Sequence, residues 1–458
     1  MSATPQMGVF HQPQVIMTTV AVGTLGCKVN QFESEALMAS LEEKGYCLVP
    51  FGEPADITII NTCTVTHRAD FQSRQMARRA SRFSPESLLI VTGCYADVEP
   101  DRIAEIQGVT HVLGNVEKSH LRDLLPQIQR GEFPTIRVSD IQKEDRLFET
   151  PLHSFHGHTR AFLKIQDGCD SRCSYCIVPH ARGRSRSLPP DRIRAHLGVF
   201  KERGYKEVVL TGIHIGAYGR DLDPPVPLEK LLEQLEQTES PSRIRLSSVE
   251  PVDFSPGLIS ILSRSSKVCP HLHIPIQSGD DDILKGMNRN YDRSFLSRLL
   301  RELHQIVPNL CIGADVIVGF PGETEDRFEH TRQLIDALPI SYLHVFPFSR
   351  RKGTPAFDFS EQVDRGETKQ RAERLRALGK QKRWAFYQRF LDRELTVLVE
   401  DRKDKGSGRL KGFSRNYIPV LLSPDNSATV QPDWINQEKK VRVTGVSEEG
   451  VTGRVMEE

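Results

Sequence analysis

Nowhere in the sequence does an apolar run approach the ~20 residues that a bilayer-spanning helix needs, so an integral helical membrane protein is excluded and no membrane partner is expected. Residues 1–18 also lack the basic start and apolar core of a secretory signal, which points to the cytoplasm. Net charge is missing as well. With 61 Lys and Arg against 60 Asp and Glu, the bulk charge argues for neither a nucleic acid nor a membrane surface, and any basic patch must be local. There is no internal repeat and no low-complexity tract. Cysteine is scarce for a disulfide scaffold: nine residues cannot staple a 458-residue chain, and an odd number in a cytosolic setting favours metal ligation.

What is present is an α/β pattern long enough for roughly three domains. After a flexible tail (1–17), short β-branched runs at 19–23, 56–60, 88–92 and 109–113 alternate with charged amphipathic segments such as 33–44 and 68–82. That is the signature of an open parallel-sheet α/β domain over 18–140. Residues 141–159 contain Pro151, His153, His156 and His158 and read as a linker rather than a metal site. A second α/β series over 160–390, with strands near 161, 207–210, 243–247, 272–276, 311–318 and 343–348, suggests a partial (β/α) barrel. Such a barrel carries its chemistry at the carboxyl ends of its strands. A long basic helix near 364–392 leads out of it, and 391–458 turns to short β-rich runs, as in a small all-β barrel.

The segment DGCDSRCSYC sets Cys169, Cys173 and Cys176 within eight residues. Three thiolates so spaced can hold one face of a cubane cluster and leave its fourth iron without a protein ligand. A closed zinc site would need a fourth ligand, and His180, behind Pro179, is an awkward candidate. This spacing, with Tyr175 before the last cysteine, resembles the radical S-adenosylmethionine superfamily. The resemblance implies a 4Fe-4S cluster that cleaves S-adenosylmethionine to a deoxyadenosyl radical, in a TIM-like barrel. Thr211, Gly212, Glu250, Gln277 and Asp315 lie in or just beyond apolar strands, where similar enzymes line the cofactor pocket; ordinary strand-end turns are the alternative.

Cys27, Cys63 and Cys94 each come just after a predicted strand (VAVGTLGC, DITIINTC, LLIVTGC). In a parallel sheet all three thiols then emerge at one carboxyl edge, where open α/β sheets bind ligands. The phrases TLGCKVNQFESE, INTCTVTHRAD and VTGCYAD, with the radical motif and the β-rich tail, resemble the methylthiotransferase family over nearly the whole chain beyond residue 18. The resemblance implies a second 4Fe-4S cluster on these cysteines that carries the sulfur, two uses of S-adenosylmethionine, and an RNA-binding tail of the TRAM kind. It also implies an electron donor such as flavodoxin or ferredoxin and a separate sulfur donor, for a protein taken to be a monomer.

Within that family GCKVNQFESE resembles the branch that modifies threonylcarbamoyladenosine at transfer-RNA position 37; the isopentenyladenosine branch reads GCQMN and the ribosomal-protein aspartate branch GCPKN. The expected reaction is therefore methylthiolation of the adenine C2 in an anticodon stem-loop. Arg402, Lys403, Lys405, Arg409, Lys411 and Arg415, with Phe413 nearby and only Asp404 opposing, suit phosphate contact and base stacking. The rivals are the other two substrates and, from another class, a non-catalytic iron–sulfur RNA-binding protein. Cys47, Cys269 and Cys311 read as structural thiols.

Overall fold

A computed structural model describes residues 17–148, 159–423 and 432–456. The expected flexible tail up to residue 16 and the linker histidines His153, His156 and His158 lie outside the described residues.

The first layer is a parallel sheet built from β1 (Thr19–Thr24), β2 (Cys47–Val49), β3 (Ile57–Thr62), β4 (Leu88–Gly93), β5 (His111–Leu113) and β6 (Ile136–Arg137), in the order β2-β1-β3-β4-β5-β6. Its middle strands are covered on both faces, and every residue of β3 is buried. This is why they read as continuous β-branched runs rather than alternating ones. One face packs Leu37, Leu41 and Leu121 on Val20, Ile57 and Ile90, the other packs Ala77, Ala80 and Tyr95 on Ile60 and Val91. The helix His67–Phe83 starts where Thr66 accepts from the amide of Ala69 at 3.1 Å, a side-chain cap.

The central layer contains β7 (Arg160–Lys164), the short pair β8 (Gln166–Asp167) and β9 (Arg186–Ser187), then β10 (Glu207–Thr211), β11 (Arg243–Leu246), β12 (His271–Gln277), β13 (Cys311–Val318) and β14 (Tyr342–Pro347). Two parallel triplets, β11-β10-β7 and β12-β13-β14, meet where the amide of Val249 donates to the carbonyl of His273 at 2.9 Å. The result is an open six-stranded half-barrel. Alternation sorts its faces: Leu272, Ile274, Ala314, Val316, Leu343 and Val345 join the core under the outer helices, while His271, His273, Asp315, Tyr342 and His344 occupy the opposite, inner face. The basic helix Arg365–Gln388 leads on, as the sequence predicts.

The tail closes into a five-stranded barrel of β15 (Glu394–Lys403), β16 (Leu410–Ser414), β17 (Pro419–Ser423), β18 (Glu438–Ser447) and β19 (Gly450–Val455), in the order β15-β16-β17-β19-β18. The α/β class with a small terminal barrel is as expected. Among the described residues no helix is long and apolar enough to cross a membrane.

The turn between β16 and β17 plugs the amino-terminal mouth of the half-barrel. Tyr417 lies 4.4 Å from His271 between ring centroids, and the guanidinium of Arg245 sits 4.8 Å over the Tyr417 ring. Beneath them Glu207 is fully buried and takes Arg245 at 2.7 Å and Arg243 at 2.9 Å. Burial favours the neutral acid, but the two arginines win and hold the Glu207 carboxyl at about 2. A carboxyl held below its unfolded value adds stability above the unfolded pKa and loses it as pH falls through the folded one. Glu207→Gln is therefore expected to cost about 3–5 kcal/mol at neutral pH, because it strands two buried cations. It should also remove the part of the acid transition that falls between the ordinary carboxyl range and pH 2. Thermal melts from pH 7 to 2 check this, and equal pH profiles for the two proteins would refute it.

Candidate two-cluster active site

Because β1, β3 and β4 are adjacent and parallel, the residues that follow them share one edge of the sheet. Cys27 caps the helix Lys28–Glu43, Cys63 directly follows β3, and Cys94 directly follows β4. Two glycines allow the approach. At Gly26, with φ 109°, an added Cβ would stand 3.1 Å from the Cys63 sulfur, and at Gly93, with φ 94°, it would stand 2.5 Å from Asn61 Oδ1. Burial, reinforced by Cys94, pushes the Cys63 thiol up to about 12; burial also raises Cys94, against the pull of Arg182. Buried neighbouring thiols of this kind ionise only when a metal takes the charge.

The second set lies on the loop after β8. Cys169 Sγ is 3.7 Å from His214 Nδ1, and His214 Nε2 is 2.6 Å from Asp253. Burial works against the charge on His214, yet Asp253 and Cys169 bring it to about 10; burial likewise opposes the Cys169 thiolate, but the His214 contact holds that thiol below its usual value. Arg289 donates to Cys173 Sγ at 3.1 Å and also pairs with Glu250. Burial, with Cys173 beside it, pushes Cys176 up to about 12.

The donor chemistry of both sets fits an iron–sulfur cluster. All six cysteines are free of disulfides. A sulfur in each set receives an N–H donor from Arg182, His214 or Arg289, the kind of outer contact that tunes a cluster. Neither set is drawn together as a single-ion site would be. Among the described residues the only group of three or more His, Cys, Asp or Glu side chains whose ligand atoms all lie within 4.8 Å of one another is His273, Asp315 and His344.

Arg182 joins the two layers. Its Nε donates to Cys94 Sγ at 3.1 Å, one amino group reaches Glu33 at 2.5 Å and Asp167 at 3.2 Å, and the other reaches Asn30. Lys118 and Lys164 also hold Glu33, at 2.7 and 2.8 Å. Three cations thus face two carboxylates, and the surplus positive charge meets the Cys94 sulfur. A second clamp sets Arg351 on Asp70 at 2.5 Å and on Thr64, the residue after Cys63, at 2.7 Å.

The other sequence-selected residues are placed as follows. Glu250 and Cys173 line an open cavity of about 600 Å³ with His214, Arg289 and Tyr291. Tyr175 packs on Ile283, Met287 and Phe320. Thr211 is buried, and Gly212 lacks a side chain because Gln166 Oε1 would lie 2.7 Å from its Cβ. Gln277 ends β12 at φ 62°, while Asp315 sits deeper, 2.7 Å from His273. In the tail Arg402, Lys403, Lys405 and Arg409 are exposed and Lys411 pairs with Asp404 at 2.9 Å. Phe413 and Arg415 belong instead to the plug. Arg160 stacks over Phe413 at 4.8 Å, and Arg415 donates to the carbonyl of Ser266 at 2.5 Å. Of the basic residues His180, Arg182, Arg184 and Arg186, whose spacing beside Cys176 suggests positive charge at the mouth of the site, Arg182 and Arg186 are buried. His214, Asp253 and Arg289 carry no motif by which the sequence marks them.

Two family models match: Uncharacterized protein family UPF0004 over residues 19–114 and the Radical SAM superfamily over 163–335. A Threonylcarbamoyladenosine tRNA methylthiotransferase MtaB from Bacillus subtilis (strain 168) is 41% identical over 89% of this chain and 90% of its own. One from Aquifex aeolicus (strain VF5) is 38% identical over 88% and 96%. A tRNA-2-methylthio-N(6)-dimethylallyladenosine synthase from Pelotomaculum thermopropionicum is 32% identical over 93% and 95%. Among solved structures the radical S-adenosylmethionine methyltransferase TsrM from Kitasatospora setae shares the fold, with a TM-score of 0.58 at 15% identity over 74% of this chain and 77% of that one. Fold and site define a radical S-adenosylmethionine enzyme. The chain belongs to the methylthiotransferase family of such enzymes, and of these relatives it is more similar to those named for threonylcarbamoyladenosine.

Proposed function

We propose that the protein methylthiolates C2 of N6-threonylcarbamoyladenosine at transfer-RNA position 37, using S-adenosylmethionine. The observation that carries this reading is a pair of cysteine triads, one at the carboxyl edge of the first parallel sheet and one on the loop after β8, with the buried Arg182 reaching from Cys94 to Asp167, two residues before Cys169. Cys27, Cys63 and Cys94 would hold one 4Fe-4S cluster, and Cys169, Cys173 and Cys176 the other. When bound, the latter supplies a low-potential electron to S-adenosylmethionine and the former the sulfur of the new methylthio group.

The protein's own residues set the environment. Arg182, His214 and Arg289 point N–H donors at cluster-ligand sulfurs, and Asp253 fixes the His214 ring. The inner face of β14 offers His344 and the exposed Phe346 to a base drawn out of the anticodon loop. Arg402, Lys403, Lys405 and Arg409 would contact its phosphates. The protein works as a cytoplasmic monomer with a flavodoxin or ferredoxin as electron donor and a separate sulfur donor. The test is to incubate anaerobically reconstituted enzyme, S-adenosylmethionine and reductant with stem-loops carrying threonylcarbamoyladenosine or dimethylallyladenosine, then weigh the nucleosides. Methylthio product on the first supports the reading, and product mainly on the second overturns it.

The tail makes a separate prediction. Arg402→Gln, Lys403→Gln and Lys405→Gln together should weaken stem-loop binding whatever the base at position 37, and should flatten the slope of log affinity against log salt by roughly 0.7–0.9 per lost phosphate contact. A slope unchanged by the triple substitution would remove these residues from the interface.

A further inference from the structure

The inner face of the half-barrel is lined by polar side chains that nearly all have partners. Glu207 answers Arg243 and Arg245, Glu400 answers Arg160 at 2.7 Å, and Asp315 answers His273 at 2.7 Å and His344 at 3.3 Å. Lys28 breaks the pattern. It follows Cys27 at the start of the helix Lys28–Glu43, and that helix packs along β7 at the open side of the half-barrel. Its ammonium is set among Tyr417, Arg160, Arg245 and Glu207, and His271 in turn senses it. Among the described residues Lys28 has no hydrogen bond and no ion pair, because Glu207 is already engaged by arginines. A half-buried lysine with no partner among the described residues is free to meet a negative charge brought by a ligand.

Resting on the proposed reaction, we infer that Lys28 is the specificity residue that binds the carboxylate of the substrate's threonylcarbamoyl group. The chemistry is selective. That group ends in a carboxylate on a short polar arm from N6, whereas a dimethylallyl group ends in apolar carbon and offers Lys28 nothing. The placement also suits the reaction. Lys28 directly follows Cys27 in the chain, so an arm anchored on it starts next to the residue that opens the sulfur-carrying set. The inner-face rings of Tyr417, His271 and Tyr342 form an aromatic floor under the arm, with His271 Nε2 2.8 Å from the Tyr342 hydroxyl.

The experiment measures equilibrium binding of reconstituted enzyme to one anticodon stem-loop in three forms: unmodified adenosine, threonylcarbamoyladenosine, and its carboxyl methyl ester. The wild-type protein should favour the free carboxylate over the ester by on the order of 10- to 100-fold, as a charge-assisted contact does. Lys28→Gln should bind all three forms alike, with the unmodified stem-loop held as tightly as by wild type. Lys28→Arg should restore part of the preference and shows that the site still folds. A Lys28→Gln protein that keeps the carboxylate preference overturns the inference, and so does a loss that is equal for all three stem-loops, which would assign Lys28 to RNA phosphate. Failure of the underlying reaction looks different: wild-type enzyme would then form no methylthio product from the threonylcarbamoyl stem-loop, whatever the binding ratios.

Discussion

Replacing Cys27, Cys63 and Cys94 together by alanine is expected to reduce methylthio product to background while S-adenosylmethionine is still cleaved. The same change at Cys169, Cys173 and Cys176 is expected to abolish both. The two sets are separate in the fold, one at the edge of β1, β3 and β4 and the other on the loop after β8, and each has its own N–H donors. Losing the first leaves the loop with His214 on Cys169 and Arg289 on Cys173 undisturbed, so the electron-accepting chemistry at S-adenosylmethionine persists. Chromatography of deoxyadenosine and of the nucleoside from one reaction reads both. If the Cys27, Cys63 and Cys94 variant still made product, those residues could not be where the sulfur comes from.

Arg182→Met should be as damaging to stability as Glu207→Gln. The side chain is 1% exposed and its guanidinium holds Glu33 and Asp167 from two different layers. Burial works against the charge on Glu33, but Arg182, Lys118 and Lys164 together hold that carboxyl well below the usual range, so it stays ionised. Methionine of similar length would leave those carboxylates short of their main cation, at a cost of about 3–5 kcal/mol. Arg184, exposed two residues away, is the control: Arg184→Met should stay within about 0.5 kcal/mol of wild type. Denaturant titration of both variants decides, and equal stability would mean that Arg182 is not the joint between the layers.

The elements legible in the sequence are those whose signal is local. β1, β3 and β4 announce themselves as β-branched runs because both their faces are buried, and the cysteines behind them are informative because a strand's end has a fixed position in a parallel sheet. The edge strand β2 and the two-residue β6 are too short for any pattern. The polar joints were illegible for a different reason. Arg182 belongs to a run that reads as positive charge at the mouth of the site, and its burial is explained by Glu33, some 150 residues earlier, together with Asn30 and Asp167. His214 and Arg289 likewise acquire meaning from Cys169 and Cys173 across the loop. Phe413 and Arg415 carry the composition of an RNA-binding strand, yet the closure of the tail barrel against the half-barrel spends them on Arg160 and on the carbonyl of Ser266. Lys28 stood in a phrase that marked a subfamily, and its surroundings supply a physical reason for that mark.

The central claim is that two independent clusters share one site, and iron and acid-labile sulfide content measures it most directly. Protein purified and reconstituted without oxygen should hold close to twice the iron and sulfide of either triple-alanine variant, each variant keeping one 4Fe-4S cluster. A wild-type protein that takes up a single cluster, lost with Cys169, Cys173 and Cys176 and unaffected by loss of Cys27, Cys63 and Cys94, would contradict it.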